Sequence, residues 1–127
     1  MKTLKTVILF SLMLAYGLTA TADGKNDLIY NSEEVNGLTV AQTVYKMNNG
    51  TLVNYMKYSF VYDDQRRVVE NISMKWNAAN ESWDNDVCLR YSYEGKLTTT
   101  EYYKWNAKKK QFVLIPGMTT TMESAEN

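Results

Sequence analysis

Two stretches decide how this chain folds: Met74-Lys75-Trp76-Asn77-Ala78 and, 29 residues later, Tyr103-Lys104-Trp105-Asn106-Ala107. A weaker copy, Tyr45-Lys46-Met47-Asn48-Asn49, stands 29 residues earlier. Recurrence at a fixed period marks a repeated supersecondary unit, so three copies imply similar hairpins laid side by side. Each copy runs into a turn and then meets a large apolar residue. These are Leu52 after Asn48-Asn49-Gly50-Thr51, Trp83 after Asn77 to Ser82, and Phe112 after Asn106 to Gln111. Asparagine tolerates left-handed backbone angles and bonds to its own backbone, which suits hairpin turns of varying length.

A second element recurs between these turns. Tyr58-Ser59-Phe60-Val61-Tyr62-Asp63 with Arg67-Val68 matches Tyr91-Ser92-Tyr93-Glu94 with Lys96-Leu97 after a two-residue shortening. An aromatic strand ends at an acid, turns, and restarts on a basic and then an aliphatic residue. Between turns the apolar residues alternate, which is the period of half-buried strands. The alternation places Leu52, Met56, Tyr58, Phe60 and Tyr62 on one strand face, and Val68, Ile72, Met74 and Trp76 on another. Val87, Leu89, Tyr91 and Tyr93 follow, then Leu97, Tyr103 and Trp105; Glu70 and Glu101 interrupt the pattern.

The expected fold is therefore all-β: an antiparallel meander of about six strands built from tandem hairpin repeats of about 29 residues and preceded by a signal-peptide helix. The strands are expected near 38–47, 51–62, 67–76, 83–93, 97–105 and 111–115. Residues 1–22 carry Lys2 and Lys5, an apolar run from Val7 to Leu18, and the small-residue end Ala20-Thr21-Ala22, the pattern of a signal peptide cut after Ala22. The run is too short for a membrane span, which needs about 20 apolar residues. Residues 23–37 are expected to form a polar N-terminal segment, 38–116 the β-repeat domain, and 117–127 a mobile C-terminal tail.

With the hairpin elements in place, the chain resembles a family of small exported Bacteroides proteins classified as a domain of unknown function. The resemblance rests on the paired Tyr-x-Tyr-acid and Lys-Trp-Asn-Ala elements behind a signal peptide. Tyr62-Asp63 followed by Arg67-Val68 also looks like the tyrosine-aspartate repeat of large bacterial shell and adhesion proteins, whose repeats build extended antiparallel sheet. The resemblance implies a β-repeat fold and an exported location, periplasmic or extracellular. It supplies no catalytic residues.

Composition narrows the chemistry. The chain has no histidine, so triads that depend on one cannot form. Its single cysteine, Cys88, allows no internal disulfide and lies between Val87 and Leu89, which reads as a structural thiol. Without residues 1–22 the chain has 12 basic and 14 acidic side chains, because Lys2 and Lys5 leave with them; a net charge near −2 gives no case for nucleic acid. Lys108-Lys109-Lys110 reads as a solvated hairpin tip, with a polyanion contact as the other reading. Asp63-Asp64 and Asp84-Asn85-Asp86 lie near turns, where acids serve conformation; a paired-acid glycosidase or a hard-cation site is the functional alternative. No metal, cofactor or catalytic residue is expected.

The candidate binding residues are Trp76, Trp83 and Trp105, which could stack on sugar rings or on a partner protein. Core packing between successive hairpins competes with that role, least at Trp83 beside its turn. The expected protein is thus exported and non-catalytic, a β-repeat protein that is not membrane-inserted and binds a carbohydrate or protein surface at the cell envelope. Its alternatives are a purely structural envelope component and a carboxylate-dependent glycosidase.

Overall fold

The computed structural model describes residues 11–13 and 28–124. They form one antiparallel sheet. Its strands are β1 (Ser11–Met13), β2 (Leu28–Val35), β3 (Leu38–Asn48), β4 (Thr51–Tyr62), β5 (Val68–Asn77), β6 (Ser82–Glu94), β7 (Leu97–Asn106), β8 (Gln111–Leu114) and β9 (Thr120–Glu123). They lie side by side in chain order from β1 to β8, while β9 turns back to pair with β7. The all-β antiparallel meander expected from the alternation is present, and the described residues contain no helix.

The six expected strands correspond to β3 through β8. Two more lie outside them. β2 occupies most of the segment expected to be a polar lead-in, and β9 lies within the expected tail. Of the expected signal-peptide helix only Ser11–Met13 is described, as a short strand against β2 with Ser11 opposite Glu34; the rest of residues 1–22 and the expected cut after Ala22 lie outside the described residues.

The turns follow from their residues. Asn36-Gly37 and Asn49-Gly50 each close a two-residue hairpin with φ of 53° and 78°, and of 49° and 79°. Positive φ at both positions matches the twist of the flanking strands and favours Asn-Gly. The β5–β6 and β7–β8 turns are longer and alike. Asn77 Oδ1 accepts the Asn80 backbone N–H at 3.1 Å, and Asn106 Oδ1 accepts that of Lys109 at 2.9 Å. In both, the residue before the next strand adopts positive φ, Glu81 at 50° and Lys110 at 51°.

Extended contacts join only strands that are neighbours in the sheet, so the described molecule is a single layer. Among the described residues only Val44, 3% exposed, and Cys88, 0% exposed, are buried apolar side chains. The other large side chains are mostly half-buried, shielded by cross-strand neighbours on their own face.

Four irregularities decide which face those side chains take. Register shifts leave Val40 on β3, Tyr55 on β4, Val69 on β5 and Asp86 on β6 as extra residues, each facing no single partner. An extra residue reverses the in-out alternation beyond it. The faces expected from strict alternation are corrected accordingly. Leu52 pairs with Met47 on one face, whereas Met56, Tyr58, Phe60 and Tyr62 beyond the Tyr55 bulge lie on the other. Val68 is likewise split by the Val69 bulge from Ile72, Met74 and Trp76.

Candidate binding face

Cross-strand pairing follows one set of side chains over the sheet. Residues directly opposite in an antiparallel pair share a face. Thr43 pairs with Lys57 and Lys57 with Met74; Ile72 pairs with Cys88 and Cys88 with Tyr103. Counting by twos along β3, β5 and β7 then places Met47, Trp76 and Trp105 on the same face.

Each of the three is the last but one residue of its strand and lies opposite a large apolar partner. Met47 faces Leu52, Trp76 faces Trp83, and Trp105 faces Phe112. The two aromatic pairs are nearly superposable in geometry. Ring centroids lie 5.1 Å apart at 65° in the first and 5.0 Å apart at 68° in the second, both edge to face. Because the three hairpins turn at the same end of the sheet, the pairs form a diagonal row across it. The row is open to solvent: Met47 is 38% exposed, Leu52 50% and Leu114, beside Phe112, 39%, while the rings are half-buried.

The structure thus places all three candidate tryptophans on one face but brings only Trp76 and Trp83 into contact; Trp105 lies on β7, the strand next to that of Trp83, and packs on Phe112 instead. Phe112, Met47 and Leu52 complete the row. Their signal was legible, since each follows or precedes the same turn as its partner, but only the tryptophans stood out as ligand platforms.

The charged residues that interrupt the apolar pattern acquire partners. Glu70 on β5 lies opposite Arg90 on β6, which lies opposite Glu101 on β7. Arg90 Nε reaches Glu70 Oε2 at 3.4 Å, and its guanidinium sits 4.6 Å from the centre of the Tyr103 ring. The bulged Asp86 accepts a hydrogen bond from Lys104 and pairs with Lys75 at 3.5 Å, so one carboxylate ties β5, β6 and β7. Burial pushes the Asp86 carboxyl up, but the hydrogen bond and charge of Lys104, with Lys75, outweigh it and hold it below the usual carboxylate range.

At the other end of the sheet Asp63 organises its turn. Its Oδ1 accepts the backbone N–H groups of Gln65 and Arg67, both at 2.9 Å, and its Oδ2 takes Arg67 Nε at 2.8 Å. These bonds, led by the Arg67 backbone N–H, lower its pKa. The Arg67 guanidinium in turn lies 4.3 Å from the centre of the Tyr93 ring.

The acids considered for catalysis do not converge. Asp63 and Asp64 lie at the β4–β5 turn, whereas Asp84 and Asp86 lie near the β5–β6 turn. Asp84 lies opposite Lys75 and Asp86 bulges beside Ser73 and Met74, so at least the stretch of β5 from Val68 to Ser73, about 17 Å of strand, separates them from the Asp63 turn. Asp84 accepts a hydrogen bond from Asn77 Nδ2 at 2.9 Å. No group of three or more His, Cys, Asp or Glu side chains among the described residues is placed to hold a metal ion. Cys88 is fully buried; burial raises its thiol pKa, helped by Glu70 and partly offset by Arg90, so the thiolate is disfavoured.

Residues 1–123 match the DUF3836 family of unknown function. Among solved structures, a DUF3836 protein from Bacteroides vulgatus is 50% identical, with 76% of this chain and 98% of that chain covered and a TM-score of 0.73. A DUF3836 protein from Parabacteroides distasonis is 28% identical over 76% of this chain and 88% of its own, with a TM-score of 0.66. A protein of unknown function from Bacteroides fragilis is 25% identical over 74% and 70%, also with a TM-score of 0.66. No curated protein matches the chain.

Proposed function

We propose that this chain, which belongs to the DUF3836 family of unknown function, is an exported, non-catalytic protein that binds a carbohydrate or protein surface at the cell envelope through the aromatic row. One observation carries the reading: three hairpins place an apolar or aromatic pair at the same position of the same sheet face. An exposed row of that kind is uncommon on a soluble protein unless something covers it. Tryptophan, phenylalanine and methionine are also enriched at the cores of protein interfaces.

We further infer that the sheet is built from tandem hairpin units of about 29 residues. The matched aromatic pairs support this, as do the paired asparagine turns and the bulges, which fall 29 residues apart at Val40 and Val69 and 31 apart at Tyr55 and Asp86. Export rests on the charged, apolar and small-residue segments of residues 1–22.

Glycan-array and envelope-protein capture experiments with the purified chain test the reading. A retained ligand is expected, with retention reduced by Trp83→Ala and by Phe112→Ala in folded protein. Silence in both assays would leave the alternative of a purely structural envelope component.

A further inference from the structure

The charges of the described residues are sorted along the strands. A line of paired residues, Ala41, Ser59, Ile72, Cys88 and Tyr103, crosses the sheet near its middle. Toward the aromatic hairpins lie seven lysines, Lys46, Lys57, Lys75, Lys104 and Lys108 to Lys110, against three carboxylates, Glu81, Asp84 and Asp86, a net of four positive charges. On the line or beyond it lie eight carboxylates against three arginines and Lys96, a net of four negative charges. A chain that is neutral over its described length is thus polar from end to end.

Within the positive end, Asp86 holds Lys75 and Lys104, and Lys46 lies 4.8 Å from the centre of the Tyr55 ring. Lys57 shares the face of the aromatic row, opposite Met74. Lys108, Lys109 and Lys110 form the turn between Trp105 and Phe112, which is pinned by Asn106. Neither Lys57 nor any of these three forms an ion pair among the described residues. Cations therefore flank the same rings that the proposed function assigns to binding.

We infer that this end of the sheet binds an acidic polysaccharide, a chain of uronate or sulfated sugars. The sugar rings would rest on Trp83, Trp105 and Phe112, and the anionic groups on Lys57 and Lys108 to Lys110. The inference rests on the reading of the aromatic row as a binding surface and adds the charge of the ligand. Sugars suit the row better than lipid, because the rings assigned to contact are half-buried in the sheet and held in edge-to-face pairs, and so do not project as a bilayer anchor does.

The test uses the purified chain, its tryptophan fluorescence, and four probes: polygalacturonate, its fully methyl-esterified form, chondroitin sulfate, and phosphatidylglycerol vesicles. Esterification removes the charge and keeps the sugar backbone. At least one acidic polysaccharide is expected to bind about tenfold more tightly than the methyl ester, and more weakly as salt shortens the range of the lysine charges. The triple variant Lys108→Ser, Lys109→Ser, Lys110→Asn keeps a residue that tolerates positive φ at position 110, and should lose about tenfold in affinity while melting as the parent does.

Equal binding of the methyl ester would overturn the acidic ligand and leave a neutral-glycan surface. Vesicle binding that matches the polysaccharides would replace sugar recognition by charge alone. Binding to none of the probes would overturn the inference. If an envelope protein captured by the chain were then released by Trp83→Ala, the proposed function would survive without it.

Discussion

A tyrosine hydroxyl ties two successive strand pairs in the same way: Tyr62 donates to the Thr39 carbonyl and Tyr93 to the Val68 carbonyl, each at 2.6 Å. Both acceptors precede a bulge, at Val40 and at Val69, where the regular ladder is interrupted. Tyr62→Phe and Tyr93→Phe should each lower stability by about 1 kcal/mol in urea denaturation, the usual worth of a part-buried hydrogen bond. Asp63 gives a pH signature. Its folded pKa is depressed, so its contribution is present above the ordinary carboxylate range and is lost as pH falls through and below that range. Asp63→Asn keeps an acceptor for the backbone and loses the attraction to Arg67. Its melting temperature should be lower than that of the parent at neutral pH and should converge on it in acid. Cys88 is shielded, and its thiolate is disfavoured. Ellman's reagent should therefore label it only as fast as the protein opens, and immediately in denaturant.

At the scale of the hairpin, the edge-to-face tryptophan pair is the unit of stabilisation. A double-mutant cycle on Trp76 and Trp83 should give a coupling of about 1 kcal/mol, the range of aromatic pairs beyond their area burial. The hairpins themselves were legible in the sequence, because Asn-rich turns, paired aromatics and alternating residues all agreed. The faces were less so. Tyr55 and Asp86 break the alternation at sites where no glycine marks the change, and an inserted residue in a strand of ordinary composition leaves no trace in hydropathy. The Asp86 bulge has a visible consequence once the partners are known: it turns a carboxylate toward two lysines on the neighbouring strands. Glu70 and Glu101 looked like interruptions for a similar reason, since Arg90, which faces both, lies on a strand between them.

For the whole molecule, the expectation reached the middle of the sheet and stopped short of its ends. β2 has the alternation-poor sequence Leu28-Ile29-Tyr30-Asn31-Ser32-Glu33-Glu34-Val35, yet Asn36-Gly37 after it is as strong a hairpin signal as Asn49-Gly50. β9 reads as a threonine-rich tail, and is recruited because β8 is too short to cover β7: β8 pairs with Tyr103 to Asn106, β9 with Leu97 to Thr100. The candidate tryptophans were legible as a set, but their common face was not, because it depends on pairings carried through three strands, β5 to β7. The separation of net positive from net negative charge follows from the same topology, which stacks the odd-to-even hairpins at one end and the remaining turns at the other. The most direct test of the account is a two-dimensional amide NMR titration of the chain with polygalacturonate. The three indole N–H signals of Trp76, Trp83 and Trp105 should shift together with the backbone amides of Lys108 to Phe112. Shifts confined to the arginine-bearing end, or to the face that carries Tyr58 and Tyr91, would contradict it.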